Sequence, residues 1–219
     1  MGHWTLAPID PRKTIRINPL GITRLSTYHV LTKQARGLKW YDFGRVIDGD
    51  WDLFVDGKRN PALEETSIHL SVHERYLRGK PWKQTPVWES KMAAIRDKGK
   101  IDGCRNETEL AQRYENLDLV FRDIATNGWK PGRPNADGPE DAISVSLTRS
   151  GGFMLATGGA HRVAIAKLLQ LPEIEVYVLA RHKQWQDFRE KTAGETNGPQ
   201  FDHPDLLPRQ PQLDRDHLG

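Results

Sequence analysis

Two adjacent glycines, a histidine and an arginine fall within the run TGGAHR, residues 157 to 162, where an apolar stretch gives way to the alanine-rich VAIAKLL. A helix that opens at such a turn presents backbone N–H groups without intrahelical partners and the positive end of its dipole, which together make a site for phosphate or another anion. Gly158 and Gly159 would let that backbone approach a ligand closely. Arg162 falls in the first turn, where a cation works against the helix dipole, so its guanidinium is expected to have an anionic partner, and its planar fork suits phosphate oxygens. His161 beside it can donate a hydrogen bond to phosphate or move a proton near neutral pH. The same residues also fit an ordinary strand-to-helix turn whose arginine pairs with a surface carboxylate, and a glycine pair alone is a weak signal.

Five further clusters have residue types suited to chemistry. Glu65, His69 and His73 stand at i, i+4 and i+8, a spacing that aligns them on one helix face for a divalent metal, although two helix histidines without a certain third ligand more often face solvent. Glu64 and Glu65 offer a general base for a substrate hydroxyl, with Glu65 the catalytic candidate; acids are also simply favoured in the first turn of a helix. Asp48, Asp50 and Asp52 surround Gly49 in DGDWD, where carboxylates could position Mg2+ opposite bound phosphate, yet turns collect aspartate anyway because its side chain bonds nearby backbone. Arg181 and His182 follow the last apolar strand. Arg181 is a candidate phosphate contact, and His182 could touch the ligand, cap the next helix or face water. Trp129 with Lys130 and Arg133 in WKPGRP is a mixture that can stack bases and hold backbone phosphates, and loops of this size also carry it without binding anything.

The elements that must position these groups follow from periodicity. Ile15 and Ile17 alternate with polar neighbours as a half-buried strand does, and the fold is expected to start near Thr14. Val46 and Ile47 precede the DGD turn, with Trp51 buried beneath it. Asn60 and Pro61 predict a helix that ends at Gly79, and Thr85 and Pro86 predict a second that ends at Gly99. Asn106 and Glu109 resemble a capping box ahead of the stripe Leu110, Tyr114, Leu117, Phe121 and Ile124, which continues to Gly128. These three helices are expected to pack together as an insertion over about residues 61 to 128. Residues 128 to 139 read as loop. Ile143, Val145 and Leu147, the turn RSGG and the run FMLA predict a hairpin. A helix from about Ala160 to Gln170, a strand at Ile174 to Ala180 and a closing helix with Trp185 and Phe188 inward complete the domain.

The chain of 219 residues is therefore expected to hold an N-terminal arm (1–13), one α+β domain (14–193) with a small mixed sheet and surrounding helices, and a loose tail (194–219) in which HPDLL is a candidate for docking on the body. With 32 basic and 29 acidic side chains the charge is nearly balanced, which does not by itself argue for nucleic acid. A single cysteine excludes an internal disulfide, no apolar run approaches a membrane span, and the chain reads as cytoplasmic with no membrane partner.

The stretch TGGAHRVAIAKLLQLPEIEVYVLARH resembles the signature of the ParB/sulfiredoxin superfamily, in which a G-x-H-R or G-x-R-R turn opens an alanine-rich helix and a Leu-Pro-x-Ile-x-Val strand follows. The matching residues are Gly159, His161 and Arg162, then Ala164 and Ala166, then Leu171, Pro172, Ile174 and Val176. GRVIDGDWD, DGCRNETELAQRYENLDLVFRDIATNGW, ARHKQWQDFRE and the late HPDL resemble blocks of an uncharacterised ParB-like subfamily, so the likeness spans most of residues 44 to 206. It implies a ParB/sulfiredoxin-like fold and a nucleoside triphosphate, ATP or CTP, bound with Mg2+ and either hydrolysed or used to phosphorylate a small hydroxyl acceptor. The expected nucleotide contacts are Gly158, Gly159, Ala160, His161, Arg162 and Arg181, with Glu65 and His161 as the catalytic candidates. Sulfiredoxins carry a reactive cysteine directly before the His-Arg pair, and this chain has Ala160 there, so sulfinic acid reduction has no nucleophile. Two other readings stay open: a DNA-binding protein or nuclease, which would show salt-dependent oligonucleotide binding, and a module that senses a nucleotide without turnover.

Overall fold

A computed structural model of the chain describes residues 5–6, 14–26, 42–55, 57–130, 142–193 and 202–206. Its centre is β9 (Ile174–His182), which is buried along nearly its whole length. One edge of β9 pairs in parallel with β7 (Ser144–Leu147). The other edge pairs antiparallel with β2 (Thr14–Ile17) over its first half and in parallel with β4 (Arg45–Ile47) over its last three residues. Beyond β7 lie β8 (Phe153–Thr157), antiparallel in the expected hairpin, and β3 (Ile22–Leu25), parallel to β8. The chain is thus α+β around one mixed sheet, with five α-helices among the described residues. β5 (Phe54–Val55) and β6 (Lys58–Arg59) form a separate two-stranded ribbon.

Side chains on a strand alternate between faces, and β9 uses both. Ile174, Val176 and Val178 join Ile15, Ile17, Val145 and Trp185 in one apolar cluster, while Tyr177 and Leu179 join Phe43, Ile47 and Trp51 in another. Trp51 lies beneath the DGD turn as expected, donating from Nε1 to the Ile47 carbonyl. The short helix α4 (Ala160–Leu168) is apolar on two sides because it is covered on two sides: Val163 and Ala166 meet the sheet, and Ala164 and Ile165 meet the helical insertion.

That insertion consists of α1 (Ser67–Arg78), α2 (Pro86–Lys98) and α3 (Glu107–Asn127), packed on one another around Val72, Trp82, Trp88, Leu110 and Tyr114. In α3, Asn106 accepts from the Glu109 N–H at 2.9 Å, as the capping box predicts, while Glu109 reaches back to the Arg105 N–H at 2.7 Å. Helix α1 departs from expectation. It starts at Ser67, capped by Thr66, and Asn60 is buried with its amide donating to the Trp51 carbonyl. The reason is competition for backbone: the Pro61 carbonyl accepts from Leu25 N–H, and Ala62 bridges to Arg24, so 61–62 extends the sheet edge instead of opening a helix.

Two segments outside the expected 14–193 domain touch the body, one of them the HPDLL docking candidate. β1 (Thr5–Leu6) pairs with β4, and residues 202–206 bring Asp205 into the interior. Among the described residues, no helix is long and apolar enough to cross a membrane.

Candidate functional site

Strand β8 delivers the chain to a turn in which Gly158 and Gly159 both lie in the left-handed region, each with φ of 67°. Gly159 is the N-cap of α4, and among the described residues no side chain caps this end. A Cβ at Gly159 would come within 2.4 Å of Ile143 Cγ1, so the glycine is required both by its backbone angle and by its contact with the sheet. Gly159→Ala is accordingly expected to lower stability by about 2 kcal/mol or more in chemical denaturation; an unchanged midpoint would show that the turn can relax. The first Cβ-bearing residue, Ala160, packs partly buried against the core, and Arg162 is half-buried in the first turn of α4. Val163 N–H bonds the Gly159 carbonyl, which leaves the N–H groups ahead of it as those without an intrahelical acceptor.

His161 turns away from solvent. Its ring meets Tyr114 of α3 edge to face, with centroids 5.7 Å apart, and both residues are among those that line a cavity of about 550 Å3 beside α3 and the turn at 101–104. The wall opposite is a tight turn, closed by reciprocal backbone bonds between Ile101 and Cys104, with Asp102 and Gly103 at φ of 48° and 88°. Burial first, and then the positive charges of Arg113 and Lys91, lower the His161 imidazole to about 4, with Asp102 opposing. The ring is therefore neutral near pH 7, which leaves His161 no positive charge to set against phosphate. Its Nε2 and the Tyr114 hydroxyl are both sealed from solvent without a partner among the described residues. Burial also raises the Tyr114 hydroxyl, so it stays protonated.

The structure does not bring the other expected contacts to this place. Arg181 is 1% exposed and bidentate to Asp205, with Nε and Nη2 at 2.9 and 2.5 Å, so its guanidinium is committed inside the core and cannot hold phosphate. Glu65 is exposed, and its neighbour Glu64 lies 3.2 Å from Lys167 Nζ, near the other end of α4. At 1.5 Å of rise per residue that end is about 9 Å from His161, which removes Glu65 as the base for this turn. The His69 and His73 rings lie 4.7 Å apart, tilted at 33°, and burial, followed by the neighbouring His73, lowers His69 to about 4; Glu64, not Glu65, is the acid that opposes this.

The aspartates of the DGD turn are occupied as well. Asp52, 4% exposed, accepts from Arg149 N–H at 2.9 Å and from Arg149 Nη2 at 2.7 Å, and Asp50 shares the same guanidinium at 2.8 Å. Burial by itself raises the Asp52 carboxyl, but the bonds and charge of Arg149 win and hold it below the usual range. Asp48 accepts from the Gly49 N–H. Carboxylates engaged in this way do not fit Mg2+, and among the described residues no group of three or more His, Cys, Asp or Glu side chains could hold a metal ion. His182 caps α5 (Lys183–Ala193), accepting from Gln184 N–H at Nδ1 while Nε2 meets the Gly49 carbonyl at 2.7 Å. Trp129 packs against the core, Lys130 lies 3.5 Å from Asp123, and Arg133 falls outside the described residues.

Sequence reasoning missed the residues that line the cavity with His161. Tyr114 was legible only as part of the core stripe, and Cys104 stands far from His161 in sequence yet lines the same space. A usable signal was the Asp-Gly pair before Cys104, a tight-turn signature. Comparison with protein families, curated proteins and solved structures finds no match to this chain.

Proposed function

We propose that the chain binds the phosphates of a nucleoside triphosphate at the amino end of α4, as the ParB/sulfiredoxin resemblance of TGGAHR implies. The observation that carries this reading is a nine-residue helix that opens at two left-handed glycines with no side-chain cap among the described residues. The N–H groups at the start of α4, those of Ala160 and His161, offer donors to anionic oxygen, and the resemblance implies Arg162, half-buried in the same turn, as a further phosphate contact. Phosphoryl transfer is mostly positioning and charge stabilisation, so such a cradle is its first requirement, for hydrolysis or for transfer to a small hydroxyl acceptor. Mg2+ would have to be held by phosphate oxygens and water, since the aspartates of the DGD turn are engaged with Arg149 beyond the other end of β7.

A second reading, a nucleotide sensor without turnover, is favoured by the placement of the acids: Glu64, next to Glu65, pairs with Lys167 near the far end of α4, and Asp50 and Asp52 are bound to Arg149. One experiment separates these readings from their failure. A thermal-shift panel of nucleotides with Mg2+ should raise the melting midpoint of the wild type, by about 2.7 kcal/mol of added stability when ligand is 100 times Kd. Arg162→Ala should lose most of that rise. Release of inorganic phosphate then distinguishes an enzyme from a sensor, and identical responses of wild type and variant to every nucleotide would overturn the assignment of this turn.

A further inference from the structure

We propose that residues 202–206 form a strap held on the body by the neutral form of His203, so that acid loosens the strap while the rest of the fold stays closed. The bonds of the ring carry the inference. His203 Nε2 meets the Gly151 carbonyl at 3.0 Å, which requires a hydrogen on Nε2, and Nδ1 accepts from the Asp205 N–H at 3.2 Å, which requires a lone pair there. The neutral Nε2–H tautomer satisfies both contacts. A second proton would sit on Nδ1 and point a donor at the Asp205 N–H, so the charged ring has to give up that bond.

The surroundings compensate the charged ring poorly. The imidazole lies against Phe153, with ring centroids 5.3 Å apart, and Trp185, at 4.5 Å. Among the described residues, charged groups act on it from three elements: Arg189 from α5, Arg181 from β9 and Asp205 from the strap itself. The Asp205 carboxylate is already shared by Arg181, Arg189 and Trp185, at 2.5, 3.0 and 3.0 Å. Burial lowers the imidazole below its ordinary 6.5 against the Gly151 bond and the Asp205 charge, and Arg189 and Arg181 add to the lowering. A histidine lowered in this way supports the docked strap fully above the free value of 6.5 and loses that support as pH falls toward the lower docked one. Asp205 is held below 3.8, so its own bonds persist through that window and the histidine is the group that responds. The strap also bears on the RSGG turn. Gly151 accepts from it, a Cβ at Gly151 would come within 2.6 Å of the Trp185 ring, and Arg149 of the same turn holds Asp50 and Asp52. Loosening the strap therefore frees one anchor of the turn that fixes the DGD loop.

The test follows backbone amide exchange of the full chain by NMR between about pH 7 and pH 5, with rates corrected for their intrinsic pH dependence. The reporters are the Asp205 N–H, bonded to the imidazole, and the Leu206 N–H, bonded to the His203 carbonyl at 2.9 Å. Protection at both is expected to fall by up to about tenfold per pH unit below the free histidine value. The Leu110 N–H of α3, bonded to the Asn106 carbonyl, should keep its protection. His203→Gln keeps a donor for Gly151 and takes no proton, so its strap amides should show no such fall. Imidazole NMR signals of the wild type give a measurement that does not depend on the variant: the ring should be the Nε2–H tautomer at neutral pH and titrate below 6.5. None of these residues belongs to the α4 turn, so the result stands or falls apart from the phosphate reading. The proposal is overturned if both strap amides keep constant protection down to about pH 5, if Leu110 loses protection in parallel with them, if His203→Gln retains the wild-type pH dependence, or if the ring titrates at or above its free value with the strap still protected.

Discussion

Replacing Asp205 by alanine is expected to lower the free energy of unfolding by about 3–5 kcal/mol, the cost of leaving a buried ion without its partner. Asp205 is fully buried and accepts from Arg181 at 2.9 and 2.5 Å and from Trp185 Nε1 at 3.0 Å, while Arg189 Nε lies 3.0 Å from the same carboxylate. Removing it strands Arg181, itself 1% exposed, at the end of the central strand. The double variant Arg181→Met with Asp205→Leu should recover most of the loss, because two apolar side chains need no pairing. Urea denaturation checks both, and a single variant within about 1 kcal/mol of wild type would show that water reaches the site. Acid supplies a second readout. Burial pushes the Asp205 carboxyl up, but its bond with Arg181, and then the charges of Arg181 and Arg189, hold it below 3.8. Its stabilisation is therefore complete above the unfolded value and disappears as pH falls through the lower folded one, so wild type and Asp205→Ala should converge in strong acid.

Asp118→Ala is the second large effect, expected at about 2–4 kcal/mol. One carboxylate of α3 collects Arg75 through Nε at 3.2 Å and Nη2 at 2.6 Å, the Tyr76 hydroxyl at 3.0 Å and Trp82 Nε1 at 3.0 Å. It ties α1, the Trp82 turn and α3 together, and its loss leaves a buried indole N–H unpaired. The expected value is below that for Asp205 because the Arg75 side chain keeps 29% of its exposure and can find water. Thermal melts read together with tryptophan fluorescence measure this. An unchanged midpoint would mean that the helices are held by their apolar contacts alone.

Much of this architecture was present in the order of residues. The alternation in TIRI, the apolar run IEVYVLA, the stripe Leu110 to Ile124, the Thr85-Pro86 and Asn106 starts and the glycine-terminated helices are local patterns, and local patterns survive folding because each element must bury at least one face whatever its neighbours are. The glycine turn before α4 was legible for the same reason. Partners of charged and polar groups were not. Asp52 finds Arg149 at 97 residues' separation, Arg181 finds Asp205 from the late HPDL segment, and Lys167 takes Glu64 in place of any ligand. The convergence of Cys104, Tyr114 and His161 on one cavity is likewise a product of α3 crossing α4. Sequence spacing determines which face a side chain occupies, but only the packed chain decides what lies opposite that face and how much water remains there. Those two quantities set whether an arginine grips a ligand or the core, and whether a histidine carries charge.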